Sequence, residues 1–161
     1  MLHPRHRIDA QLSAGSVTDA IGDYSSTPTR FIWTPLEGRT AHIYRLLVFV
    51  QDTGAFDAAK YGNNITLTNG IALTVRNVDG DATVHDYTPG RIFTSGDWAA
   101  RAFDADVKTW GVGDEILVVR WTFSRAGSPI ALTDDLYLSV DLNDVFTGLN
   151  AHRFTIQGEY V

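Results

Sequence analysis

Cysteine is absent from the chain, which excludes disulfides, thiolate metal sites, cysteine nucleophiles and C-x-x-C redox chemistry. That absence fits a reducing and an oxidising compartment equally. Lysine is almost absent too: of 13 basic residues only Lys60 and Lys108 are not arginine. An arginine bias suits bidentate pairs and stacked interface contacts, and a GC-rich genome produces the same bias. Positive charge as a whole is scarce, with 13 Lys+Arg against 19 Asp+Glu and a formal net charge of −6. The basic patch or stripe of a nucleic-acid binder is therefore not expected. Long apolar runs are missing as well. The longest, Leu46-Leu47-Val48-Phe49-Val50, is flanked by Arg45 and Gln51 and falls far short of the roughly 18 residues of a membrane span, so no membrane partner is expected. The basic start, Met1 to Arg7, runs into Ile8-Asp9-Ala10-Gln11 instead of an apolar segment, so no secretory signal is read and the chain is expected to stay in the compartment where it is made.

What is there points to an all-β domain. At 161 residues and 44% hydrophobic the chain suits a single domain with a substantial core. Glycines at Gly54, Gly62, Gly70, Gly80 and Gly90 mark turns at the interval found in a sandwich or barrel of short strands. Between them the apolar residues alternate: Ile71, Leu73 and Val75 against Ala72, Thr74 and Arg76, then Leu136, Leu138, Val140 and Leu142 against Tyr137, Ser139 and Asp141. The runs 43–50 and 116–123 are apolar on nearly both faces, which suits sheet centres or a face against a partner, with Arg45 and Arg120 the exceptions. Asp79-Gly80 predicts a hairpin pairing 71–77 with 82–87, and Asn69-Gly70 a second turn. Short helical turns are expected only at 56–60 and 98–102. Strands are expected near 30–34, 42–51, 64–68, 71–77, 82–87, 115–124, 129–132, 136–142 and 152–160. Leu73, Val119, Trp121, Phe123, Leu138 and Val140 are the expected core. The result is a two-sheet antiparallel β-sandwich of jelly-roll type over 29–161.

Residues 1–28 carry little periodicity and much Ser, Thr, Gly and Asp, and are read as an extended N-terminal arm whose removal leaves the sandwich folded. Two alternatives stand beside that: a disordered leader, or one added edge strand. As an arm it would cross onto a neighbouring subunit, with Arg5, Arg7 and Ile8 as anchors.

No catalytic or metal constellation can be assembled from spacing. The five histidines, His3, His6, His42, His85 and His152, form no H-x-x-x-H or H-E-x-x-H, and no G-x-S-x-G is present. Asn77-Val78-Asp79-Gly80-Asp81 opens like a calcium loop but lacks the glutamate at its twelfth position, leaving a hairpin turn. Asp141 and Asn143, two apart on one strand, share a face and could bind Ca²⁺ with Asp144, hold a sugar, or simply be a solvated strand end. No cofactor is expected. Among the tryptophans, Trp121 alternates with core residues, whereas Trp33, Trp98 and Trp110 sit beside turns. Those three could form a sugar-stacking platform, pack inward as loop anchors, or act as hot spots against a protein partner, where Trp, Tyr and Arg are enriched.

The run 52–62 (DTGAFDAAKYG) with Leu67-Thr68-Asn69-Gly70-Ile71, Gly96-Asp97-Trp98, 110–115 (WGVGDE), 119–127 (VRWTFSRAG) and Leu142-Asn143-Asp144 resembles the small jelly-roll-like virion structural proteins of tailed bacteriophages, from about residue 42 to the end. The resemblance implies a head decoration or cement protein, made in the host cytoplasm and carried on the virion. It would be non-enzymatic, held by the major capsid protein or other virion subunits, and homo-oligomeric on the particle. A place in the tail, neck or baseplate, and a carbohydrate-binding module, are the alternatives. The matching motifs are patterns of strand and turn, so no catalytic residue is carried over.

Overall fold

A computed structural model describes residues 6–52, 61, 67–88, 104–110, 116–122 and 129–161, with the backbone alone described for 104–110 and 116–122. The expected turns at 56–60 and 98–102, and Arg5, Trp98 and Phe123, lie outside the described residues. Ten strands are described: β1 (Arg7–Gln11), β2 (Thr29–Trp33), β3 (Ala41–Gln51), β4 (Ala72–Asn77), β5 (Thr83–Asp86), β6 (Asp104–Trp110), β7 (Ile116–Thr122), β8 (Ile130–Leu132), β9 (Leu136–Leu142) and β10 (Ala151–Tyr160). They form two antiparallel sheets. The larger runs β1-β10-β3-β7-β6 with β8 also on β3, and the smaller runs β2-β9-β4-β5. No helix occurs among the described residues.

The alternation read from the sequence decides which side of each strand is dry. Leu73 and Val75 of β4 and Leu138, Val140 and Leu142 of β9 face inward to meet Ile43, Leu46, Val48, Phe154 and Ile156 of the larger sheet in one core. Three expected core residues, Leu73, Leu138 and Val140, are completely buried. The doubly apolar run 43–50 is central, with β10 on one side and β7 on the other. The β4–β5 hairpin forms as expected, its turn carried by Gly80 at φ 76° and Asp81 at φ 55°. The segment expected as a strand at 64–68 is not one over Leu67 and Thr68.

At Tyr44 the ladder slips. Arg45 pairs with Gln157 but Ile43 pairs with Gly158, so Tyr44 is an extra residue on β3. At the same point the other flank of β3 changes partner, from β7 at Arg45 to β8 at Ile43. The bulge brings the His42 carbonyl oxygen to 2.1 Å from where a Cβ on residue 158 would stand, which only glycine permits.

The N-terminal segment corrects the expectation of an arm. Arg7–Gln11 is an edge strand paired with β10 from Arg7↔Glu159 to Gln11↔Thr155. The Leu12 amide then donates to Phe154 O at 2.9 Å, and Ser13 exchanges both backbone hydrogen bonds with Ile32 on β2. Within two residues the chain crosses from the edge of one sheet to the edge of the other and closes that flank. Ile8, Leu12 and Ala20 lie in the common core. The physical reason is burial: two aliphatic side chains leaving water contribute about 3–5 kcal/mol, which a solvated arm would forgo.

Candidate functional site

Of the six residues expected to meet a partner, four can be placed. Ile8 is not an anchor, because its side chain is buried in this chain's own core. Arg7 is exposed and stands 3.8 Å from Asp9 on the same strand. Trp110 ends β6, but its side chain is not among those described. Trp33 ends β2 half-buried, its ring 6.3 Å from that of Tyr160, so it is a packed corner residue and no open sugar platform.

That corner is the most interface-like surface described. The Arg39 guanidinium lies 4.9 Å over the Tyr160 ring, within cation–π range. The Tyr160 hydroxyl accepts from the Leu36 amide at 3.1 Å, which fixes the β2–β3 loop with Leu36 presented at 62% exposure. Tyr160 is near the end of β10, Trp33 ends β2, and Leu36 and Arg39 are in the loop that follows. A tilted aromatic pair capped by arginine beside an exposed leucine has the composition of an interface core.

The polar residues singled out in the sequence divide into inner and outer sets. Asp144 points inward. Its carboxylate accepts from the backbone amides of Thr68, Asn69 and Gly70 at 2.9–3.1 Å and holds the Asn69-Gly70 turn, where Gly70 has φ 75°. Asp141 points outward, so the two carboxylates do not converge as a calcium site. Among the described residues no group of three or more His, Asp or Glu is placed to hold a metal ion.

His152 is fully buried between Phe146, Phe154 and Tyr61. Its Nδ1 lies 2.8 Å from Ala20 O; a carbonyl only accepts, so Nδ1 carries the proton and Nε2 accepts from the Tyr61 hydroxyl at 2.5 Å. Burial lowers its pKa to about 4 against the weaker opposing pull of the Ala20 carbonyl and Asp19, and burial pushes the Tyr61 hydroxyl up. Both ring nitrogens are thus spent on holding residue 20 and residue 61 to β10. Alternation along 151–160 puts His152 on the face of Phe154 and Ile156, a signal the sequence does carry.

The outer face of the smaller sheet carries a second polar cluster that sequence spacing cannot assemble. Arg30 of β2, Arg76 of β4 and Asp141 of β9 come from three strands side by side in the order β2-β9-β4. Arg76 is fully engaged: Nε to Thr74 Oγ1 at 3.1 Å, Nη1 to Asp81 O at 3.0 Å, and Nη2 to Asp141 Oδ2 at 3.0 Å. Ser139 donates to Asp141 Oδ1 at 2.6 Å. The Tyr137 hydroxyl donates to Asp81 Oδ1 at 2.6 Å, which holds Asp81 below the usual carboxylate range with help from Arg30. Two adjoining hollows of about 400 and 380 Å³ flank the Arg76–Asp141 pair.

No family model matches this chain, no curated protein matches it, and no solved structure matches it.

Proposed function

We propose that this chain is a non-enzymatic virion structural protein of a tailed bacteriophage, a jelly-roll-type sandwich that decorates or cements the capsid shell through subunit–subunit contacts. The observation that carries the reading beyond the sequence resemblance is the Trp33–Tyr160–Arg39 corner with Leu36 beside it. It is an aromatic and arginine surface built on two strand ends and so held rigid, as an adhesive contact between subunits requires. The inner polar residues support the same reading, because Asp144 and His152 spend their hydrogen bonds on fixing loops to the sandwich. A stiff body with one docking corner gains its hold from repetition: many copies on a lattice, each touching the major capsid protein or a second copy of itself, raise one another's effective concentration.

Electron cryomicroscopy of purified particles with the protein present and absent tests the proposal. Difference density on the outer shell, at a symmetric position and with the 33–39 loop and Tyr160 against a capsid subunit, is the expected result. Density confined to the tail or neck would move the protein there, and no difference density would overturn the reading.

A further inference from the structure

The outer face of the smaller sheet, away from the Trp33–Tyr160 corner, is drier and more hollowed than the outside of a two-layer sandwich ordinarily is. The outer side of a two-layer sandwich is ordinarily wet, yet here Ala72, Thr74, Tyr137 and Ser139 are buried on it, with 6, 4, 5 and 0% exposure. Arg30 and Arg76 lie in the polar network above them, and the Arg76–Asp141 pair, only 15% and 14% exposed, forms a ridge between the two hollows. An ion pair removed from water to this degree has a desolvation cost that its attraction barely offsets, and its firm geometry favours specificity over stability.

On either side of the ridge polar groups remain unspent. Arg30 meets Asp81 at 3.3 Å and the Tyr137 hydroxyl at 3.5 Å through Nη1 and stands 3.7 Å from Asp141 through Nε, and among the described residues its Nη2 has no partner. Beside it in the first hollow the Asn143 side-chain amide makes no hydrogen bond among the described residues, its backbone carbonyl alone being used, by Asn69. In the second hollow Asp86 accepts from the Thr88 amide and hydroxyl through Oδ1, and among the described residues its Oδ2 has no partner. The first hollow therefore offers guanidinium and amide donors, and the second offers a carboxylate acceptor next to Thr83.

We infer that this trough binds an acidic saccharide, with the sugar carboxylate on Arg30 and Asn143 in the first hollow and ring hydroxyls reaching across the Arg76–Asp141 ridge to Asp86. The planar guanidinium fork, with Nε and Nη1 facing Asp141, Asp81 and Tyr137, leaves Nη2 for one carboxylate oxygen and the Asn143 amide for the other. A carboxylate oxygen such as Asp86 Oδ2 accepts hydroxyl protons, which a simple anion lacks. A neutral sugar would leave Arg30 poorly matched, and an acidic peptide would find little apolar wall for a side chain, since among the described lining residues only Pro28, Leu142 and Ala72 are apolar. The combined volume suits one or two sugar rings.

Nuclear magnetic resonance of the full chain titrated with glucuronate, with glucose, acetate and an Asp-Ser dipeptide as separate arms, tests this. Saturable shifts of the Arg30 Nε–H and Asn143 side-chain amide signals by glucuronate, with a Kd of about 1 mM or tighter, are expected. Acetate and glucose should each be at least roughly tenfold weaker, because each lacks one of the two matched groups. Arg30→Lys should weaken glucuronate by about tenfold with an unchanged melting temperature, since lysine keeps the charge and loses the fork. Absence of saturable shifts, equal affinity for acetate, tighter binding of the dipeptide, or an Arg30→Lys chain that is folded and binds unchanged would each overturn the inference.

Discussion

The two polar clusters of the sandwich differ in what they leave over. Inside, His152 and Asp144 are encircled: both imidazole nitrogens and the carboxylate meet partners within hydrogen-bonding distance, and those partners belong to segments distant in sequence. Outside, Arg76 and Asp141 are equally spent, but Arg30, Asn143 and Asp86 next to them retain open donors and acceptors. Groups that are consumed hold the body together, whereas groups that are left over are available to a second molecule. The same residue types, within one stretch such as 141–144, therefore serve opposite ends according to the face on which the strand presents them.

The sharpest way to break this comparison is to cut away a segment on the consumed side. Removing residues 1–28 should abolish cooperative folding, because Ile8, Leu12 and Ala20 leave the core and His152 loses its Ala20 partner; a sharp thermal transition in the truncated chain would contradict the closure of the flank. Gly158→Ala comes next. Its Cβ would meet the His42 carbonyl, a backbone atom that cannot swing aside, so a loss of about 3 kcal/mol in denaturant unfolding is expected.

Acidification should then separate His152 from the rest. Its folded pKa of about 4 lies below the unfolded value of 6.5, so the unfolded chain binds a proton that the native one refuses. Stability is fully present above about pH 6.5 and falls by about 3 kcal/mol as pH drops toward 4. A His152→Phe chain, which keeps the aromatic packing and does not titrate, should lose that window whatever its overall stability. Chemical denaturation across the pH range reads this directly.

The neighbouring pair Asp144 and Asn143 gives the smallest and cleanest contrast. Asp144→Ala strands three buried or half-buried amides and should cost about 2–3 kcal/mol. Asn143→Ala removes an amide with no partner among the described residues and should stay within about 0.5 kcal/mol. Equal effects at the two positions would erase the distinction drawn between the faces.

How far the sequence reveals this depends on whether the signal is local. The strands β2, β3, β4, β5, β7, β8, β9 and β10 follow from alternation or apolar runs and from turn residues within a few positions. β1 escapes because Arg7–Gln11 holds one large apolar residue, Ile8, and is followed by a stretch in which Leu12, Val17, Ile21 and Tyr24 keep no regular period among Ser, Thr, Gly and Asp; only its pairing with β10, at the far end of the chain, makes it a strand. β6, with Asp104, Asp106 and Lys108 in a seven-residue strand, is likewise defined by its neighbour. Asp144 capping a turn some 75 positions away, and Arg30, Arg76 and Asp141 meeting on one face, depend on strand order, which no periodicity encodes.

The Trp33–Tyr160–Arg39 corner is where the proposed docking can be tested most directly. Purified particles lacking the protein would be titrated with the full chain and with a Leu36→Asp, Arg39→Ala double variant, and bound copies counted after sedimentation. Both changes fall on a surface loop, so the variant should fold as the parent does. The account predicts saturation of the shell by the parent and at least roughly tenfold weaker occupancy by the variant, the loss expected from truncating an interface anchor. Saturation of the particle by both at the same concentration would contradict it.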